Sequence, residues 1–312
     1  MQTRFTLRQL EYLVAVGRFG SISLAAHHLS VSPPSISNAI AQLEAEFGLP
    51  AFVRKHAQGM TLTQAGRALM AQAVQVLEAA RALSNLADQH NGTVRGDLNV
   101  GCLLTFAQII VPRLRRAFTT AFPEVTFRQF QNHQAGLIEA LRDATIDIAI
   151  TYDLMIPADM EFTPLATLPP FAMLPAAHPL ATRSSLSLAE LAPSPMILLD
   201  LPISGAYFMS LFDQAGVTPR IVERSHDMAV VRSLVGNDFG YSVANARPFA
   251  PTAPDGEELA FVPLTGGLKP VRMGILSTAG GKSSLTVKTF VSLCEKMIDP
   301  TMQAQISINA KE

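Results

Sequence analysis

Three short amphipathic segments before Gly48, separated by two tight breaks, constrain this chain more than any other feature. Leu10, Leu13, Val14 and Gly17 recur at i, i+3, i+4 and i+7, which predicts a first helix from about Thr6 to Val16. Phe19-Gly20-Ser21 breaks it. Ile22, Ala25, Ala26 and Leu29 repeat the spacing in a second helix, with Ser21 placed to cap its N-terminus. Ser32 can cap a third helix, and Pro33 and Pro34 fall in its first turn, where a missing N–H costs little. The inner face of that helix reads Ile36, Ile40, Leu43 and Phe47, and Gly48 ends it. Two short helices joined by a tight turn, the second opening on Ser-Pro-Pro-Ser, form a helix-turn-helix pattern over residues 5–62. The stretch from Pro50 to Thr63 reads as a two-stranded wing carrying Arg54 and Lys55 and turning at Gln58-Gly59.

From Gln64 to about His90 the pattern predicts one Ala-rich helix, about 40 Å long at 1.5 Å per residue. Leu69, Ala73, Val76, Ala80, Leu83 and Ala87 are spaced 4, 3, 4, 3 and 4, the a/d seam of a coiled coil. Packing against its own domain is the plainer explanation. The sustained 3.5 period and polar outer positions favour pairing with a second chain. Asn91-Gly92-Thr93 reads as a hinge.

Beyond it, short apolar strands alternate with helices, which implies an α/β sheet. Strands are expected at Leu98–Gly101, Val125–Phe130, Asp147–Thr151, Ala172–Pro175, Met196–Leu199, Phe239–Val243, Leu259–Pro263 and Val271–Ser277. Helices are expected at Phe106–Ala121, Gln134–Asp143, Ala206–Gln214, Asp227–Val235 and Ser283–Met297. Pro-rich stretches at 164–170 and 248–254 suggest crossings or linkers between two lobes.

Bulk composition narrows the partners. At 312 residues, 48% hydrophobic and 16% charged, the chain is expected to hold two or three compact domains. A net charge of −1 gives no global attraction to nucleic acid, so any such contact must be local. Residues 1–62 carry Arg4, Arg8, Arg18, Arg54 and Lys55 against Glu11, Glu44 and Glu46, with His27, His28 and His56 able to add charge. The only cysteines, Cys102 and Cys294, lack metal-ligand spacing, so neither a metal nor a disulfide framework is expected, and a reducing cytoplasm is. The N-terminus lacks the uninterrupted apolar stretch of a signal peptide, and no 18-residue apolar run predicts a membrane span or a membrane partner.

With these patterns in place, the chain resembles the LysR-type transcriptional regulators over essentially its whole length. The most specific stretch is FTLRQLEYLVAVGRFGSISLAAHHLSVSPPSISNAIAQLEAEFGLPAFVR, followed by MTLTQAGRAL. Weaker echoes follow in GDLNVG, AFPEVTFR, IEALRDATIDIAI, AAHPLA and VVRSLVGNDFGYSV. The resemblance implies a winged helix-turn-helix at 1–63, a linker and dimerisation helix at 64–91, and an effector-binding α/β domain at 92–302. That domain would have two lobes like the type 2 periplasmic binding proteins, lobe I near 92–165 and 269–302 and lobe II near 166–268, before a C-terminal tail at 303–312. It also implies double-stranded promoter or operator DNA as partner, and a homodimer that assembles into a homotetramer. The family bends its promoter DNA and more often activates than represses, in which case RNA polymerase is a further partner. No cofactor is expected. The sequence departs from the family where Pro33 replaces a common Gln, Asn38 stands where Arg is frequent and Gln58 occupies a wing position that is often Arg, so no relative's operator can be borrowed.

Opposite the inner face of the third helix lie Ser35, Asn38, Ala39 and Gln42. Asn and Gln amides can pair bidentately with adenine edges, and an alanine methyl can meet a thymine methyl. Ser21, Ser23, Ser32, Ser37, Arg54 and Lys55 suit phosphate positioning. For the effector, the resemblance carries the family's ligand-binding Ser/Thr onto Thr105, the second ligand loop onto His133-Gln134, and a strand end onto Thr151-Tyr152. It places the later cleft edge at Asp200 to Ser204 and a last turn at Ser225-His226. The two histidines favour an anionic ligand, whereas Asp200 and the neutral Tyr152 leave room for a zwitterion or a cation.

Three rival classes fit less well. An enzyme is the first: AGGKSS at 279–284 is like a phosphate loop but has Leu276 where that loop needs glycine, and no hydrolase, zinc-protease or dinucleotide fingerprint appears. A thiol redox switch would need a reactive cysteine pair in the second lobe, but Leu199–Gly205 has none, and both cysteines read as apolar fillers. A secreted solute-binding protein leaves the first 90 residues without a role.

Overall fold

Helix α1 (Leu7–Phe19) begins with a reciprocal cap, in which the Thr6 hydroxyl accepts the Gln9 amide at 3.2 Å and Gln9 Oε1 accepts the Thr6 amide at 2.9 Å. It runs past Val16 to Phe19, so Phe19 belongs to the helix rather than to its break; Gly20, at φ 61°, supplies the left-handed cap. The structure is a computed structural model describing residues 4–55, 59–281 and 284–308, with backbone only at residues 54, 55, 78, 81 and 84–91. Gln58 of the expected wing turn and Ser283 of the last expected helix lie outside the described residues. The chain divides into two units, Met1–Asn91 and Gly92–Glu312.

In the first unit, Ser21 caps α2 (Ile22–Leu29) and Ser32 caps α3 (Pro33–Phe47), each hydroxyl accepting an amide at 3.4 Å. Ala25, Ala26, Ile36, Ile40 and Leu43 are buried with Leu10, Leu13 and Val14 of α1, the faces their spacing predicts, and Tyr12, Ala15 and Val16 join them. Strands β1 (Phe52–Lys55) and β2 (Gly59–Leu62) pair antiparallel with Phe52 opposite Leu62. The wing is pinned at two points. Glu44 of α3 accepts the amides of Ala51 and Phe52 at 2.7 and 3.1 Å, and Gly20 accepts the Met60 amide at 2.7 Å.

Helix α4 (Gln64–Asn91) follows. Its start approaches the residue before β1 so closely that a Cβ on Gly66 would sit 1.9 Å from the Ala51 carbonyl oxygen. Its first half packs Leu69, Met70, Ala73, Val74 and Leu77 on the core of its own winged helix. The expected seam therefore divides: Leu69 and Ala73 serve the domain they belong to, whereas Val76 and Leu83 are left 40% and 72% exposed.

The second unit opens with β3 (Gly96–Cys102), α5 (Leu104–Ile109), α6 (Val111–Ala121), β4 (Val125–Gln131), α7 (Gln134–Arg142), β5 (Ile148–Tyr152) and β6 (Met160–Leu168). The chain then crosses to β7 (Phe171–Pro175), α8 (Leu188–Leu191), β8 (Pro195–Leu199), α9 (Ser204–Ala215), β9 (Arg220–Ser225), α10 (Met228–Gly236), β10 (Ser242–Ala244) and β11 (Leu259–Pro263). It returns through β12 (Val271–Thr278), α11 (Leu285–Met297) and α12 (Pro300–Ile306).

One sheet has the order β4-β3-β5-β12-β6, with β3 parallel to β4 and β5 and with β12 antiparallel to β5 and β6. The other lobe holds the antiparallel sheet β10-β7-β11 and the parallel pair β8-β9, joined by a bridge between Met196 and Tyr241. Phe118 and Phe127 both meet Phe290 edge-to-face, at 5.1 and 5.5 Å, locking α6, β4 and α11 together.

Several expectations are corrected. The helix expected at Phe106–Ala121 is two helices broken at Ile110, because Pro112 has no N–H to continue the first. The Pro-rich 164–170 stretch is mostly strand β6, with only Pro169 and Pro170 crossing between lobes. Pro164 is tolerated there because β6 is an edge strand and its ladder to β12 slips at Gly274. The strand expected at Phe239–Val243 shrinks to β10, since Asp238 and Gly240 take positive φ and Phe239 is 60% exposed. Strand β9 escapes notice because it lies at an edge with most of its residues exposed. Helix α12 enters the segment expected as a tail, where Ile306 and Ser307 are buried.

Candidate functional site

Helix α3 presents Ser35, Asn38 and Gln42 as exposed residues opposite buried Ile36, Ile40 and Leu43. Their roles differ in the folded molecule. The Asn38 side chain has no hydrogen bond among the described residues. Gln42 Oε1 accepts Gln9 Nε2 at 3.2 Å, which leaves its amide N–H groups outward. The Ser35 hydroxyl lies 2.8 Å from that of Ser32 at the N-cap. Ala39 is half-buried against the core rather than fully outward. Ser23 is exposed, Ser21 and Ser37 are half-exposed, and the backbone of Arg54 and Lys55 forms the outer end of β1.

Thr151 and Tyr152 end strand β5, and the other expected effector residues stand on loops and helix starts that follow strand ends of both lobes. His133 caps α7, its Nδ1 accepting the Gly136 amide at 3.1 Å. Gln134 is only 4% exposed, and its Oε1 accepts the Thr151 hydroxyl at 3.1 Å while its Nε2 donates to the carbonyls of Tyr152 and Leu154. Gln134 and Thr151 thus hold each other as a buried pair, the hydroxyl proton and both amide hydrogens already engaged within the fold. The Tyr152 ring packs edge-on to Phe106 at 4.9 Å, and burial, with Tyr207 nearby, raises its pKa well above the phenol range.

Asp200 accepts the Arg224 guanidinium at 3.0 Å, so its charge is balanced at the surface. Ser204 opens α9, and exposed His226 precedes Asp227, the cap of α10. A cavity of about 230 Å³ takes in Thr105 alone of this group. Its other walls come from Gln108 and Ile109 of α5, from β7, α10 and β11, and from the end of β10 with the loop 246–250. Arg232 and Phe249 in those walls were missed. Nothing in the run MAVVRSLVG distinguishes an arginine facing a cavity from one facing water, since that depends on how α10 packs.

Both cysteines are buried and free. Burial pushes the Cys102 thiol up to about 11 despite a donor at Gln129 Nε2, 3.8 Å away, and Cys294 still higher. Neither forms the thiolate a sensor needs at neutral pH. Among the described residues no cluster could hold a metal, and no helix is long and apolar enough to cross a membrane.

Residues 7–67 match the lysR-family bacterial regulatory helix-turn-helix, and residues 91–298 match the LysR substrate binding domain. The chain belongs to the LysR family of transcriptional regulators. LysR-type members are regulators rather than enzymes, and the family architecture joins a DNA-binding helix-turn-helix to an effector-binding domain. Among LysR-type relatives, BudR of Raoultella terrigena is 31% identical over 76% of this chain and 83% of its own. HinK of Pseudomonas aeruginosa superposes with a TM-score of 0.63 at 30% identity, over 94% of this chain and 99% of that one. A full-length OxyR variant from Pseudomonas aeruginosa shares the fold with a TM-score of 0.74 at 23% identity, over 99% and 100%.

Proposed function

We propose that this LysR-type regulator binds a specific operator as a dimer and that a small organic acid or amino-acid-like metabolite, held between the two lobes, changes its DNA binding or promoter bending. The observation that carries the DNA reading is the outward polar face of α3, with Asn38 unengaged and the helix start fixed by Ser32. Asn38 and Gln42 read base edges. Ser35 stands on the same outward face, and Ser21, Ser23, Ser32, Ser37, Arg54 and Lys55 position phosphates. One weakly basic head binds poorly at physiological salt, so two are joined through the exposed part of α4. A dimer of dimers and, for activation, contact with RNA polymerase extend the same reading.

The effector reading rests on Thr105, His133, Tyr152, Asp200, Ser204 and His226 standing at strand ends of both lobes, where ligands of such folds settle. Gln134 and Thr151 shape that cleft from beneath. A ligand acts as a switch only if it binds one lobe arrangement better than the other.

Footprinting on the DNA upstream of the protein's own gene, repeated with small metabolites, tests both parts. Protection that a metabolite shifts is expected; no protected DNA under any condition refutes the DNA reading. Asn38→Ala should cost about 1–3 kcal/mol on the operator and little on random DNA, whereas Arg54→Ala should weaken both equally.

A further inference from the structure

We infer that Gln9 of α1 sets which base Gln42 of α3 reads, and that this base is guanine. The inference rests on the operator reading above and sharpens it, since a glutamine amide with both ends free suits adenine instead.

The orientation follows from a chain of hydrogen bonds that starts at a donor with no choice. A backbone N–H can only donate, so the Thr6 amide, at 2.9 Å, holds the Gln9 oxygen Oε1 on its own side. The Thr6 hydroxyl donates to the same oxygen at 3.2 Å. Gln9 Nε2 is thereby turned towards α3. An amide nitrogen offers hydrogens and no lone pair, so the Gln42 atom it meets at 3.2 Å must be the oxygen Oε1. The cap of α1 thus settles the rotation of a side chain on another helix.

With Oε1 held by Gln9, Gln42 keeps two N–H donors for a partner. Glu46, one turn further along α3, faces Arg4 at 3.9 Å, and no described residue accepts from the Gln42 amide. Gln42 is exposed, at the edge of an open hollow of about 370 Å³. In the major groove guanine shows two acceptors, N7 and O6, whereas adenine shows one acceptor and one donor. Two donors match the first edge and only half of the second. Gln9 acts through Gln42, as a positioning residue.

Selection of the full chain on randomised duplex DNA, followed by affinities for the selected site and its single-pair variants, tests this. The wild type should prefer G·C over A·T roughly five- to hundredfold at one pair of the site, and Gln42→Leu should erase that preference alone. Gln9→Glu keeps the cap, because Glu serves in a capping box as Gln does, but it sets an acceptor opposite Gln42. The Gln42 amide then turns its nitrogen inward and its oxygen outward. Preference should move to a pair offering an amine at that place, A·T or the reversed G·C. Gln9→Leu leaves the amide free to turn and should lose most of the preference without reversing it. A Gln42-dependent preference for A·T in the wild type overturns the inference, as does an unchanged preference in Gln9→Glu. A site that Gln42→Leu selects identically also overturns it and leaves the operator reading standing on Asn38, whereas selection of no site overturns both.

Discussion

Asn245 Nδ2 donates to the Tyr207 hydroxyl at 2.9 Å, and that hydroxyl donates onward to the Lys269 carbonyl at 3.0 Å. Asn245 is 3% exposed and also donates to the Leu168 carbonyl at 3.0 Å. Leu168 ends β6 and Lys269 lies just before β12, so two side chains of one lobe hold both crossings to the other. Tyr207→Phe should cost about 1–2 kcal/mol, because it removes one donor and one acceptor from a buried chain. Asn245→Ala should cost about 2–4 kcal/mol, since it strips partners from a carbonyl and a hydroxyl at once. Thermal unfolding of the full chain checks this, at about 2–4 °C per kcal/mol; a wild-type midpoint for Tyr207→Phe would exclude the clamp.

The same hydroxyl sets an alkaline limit. Burial, opposed by the Asn245 hydrogen bond and aided by Asp153, raises Tyr207 from 10.0 to about 12. Because the folded value is the higher one, the neutral phenol's contribution is complete below pH 10. It is then lost as pH climbs from about 10 to about 12. Stability should therefore fall across that window, and less steeply in Tyr207→Phe. Denaturant titrations at stepped pH measure the slope, and identical slopes in the two proteins would count against it.

Glu44 links the recognition helix to the wing through two backbone amides of β1. Glu44→Ala leaves both amides short of a charged acceptor, for an expected loss of about 1.5–3 kcal/mol. If the wing positions phosphates as proposed, operator and random DNA should both bind more weakly. Unchanged DNA affinity with lowered stability would confine Glu44 to folding.

Leu83 is a large apolar side chain on α4 at 72% exposure. Leu83→Glu should shift sedimentation toward the monomer and lower operator affinity at least tenfold, as two heads no longer bind as one. A variant that still sediments as the wild type would show that the seam is not the contact.

Much of the first unit was legible because its signals are local. Ser21 and Ser32 cap within three residues, Gly20 and Gly48 terminate by their own φ, and the i, i+3, i+4 faces of α1 to α3 are buried as spaced. The buried strand β5 was equally plain, since a central strand reads as an apolar run. Strand β6 was obscured because whether Pro164 breaks a strand depends on its being at an edge, a fact held by β12.

The candidate sites divide along the same line. Spacing along α3 put Asn38 and Gln42 opposite the core, because helical periodicity is set by the chain itself. Whether Gln134 would face a ligand or Thr151, and whether Arg232 would face water or a cavity, turned on contacts between segments far apart in sequence. Hydrogen-bond partners and cavity walls of that kind exist only once both lobes are packed, so tertiary structure alone decided them.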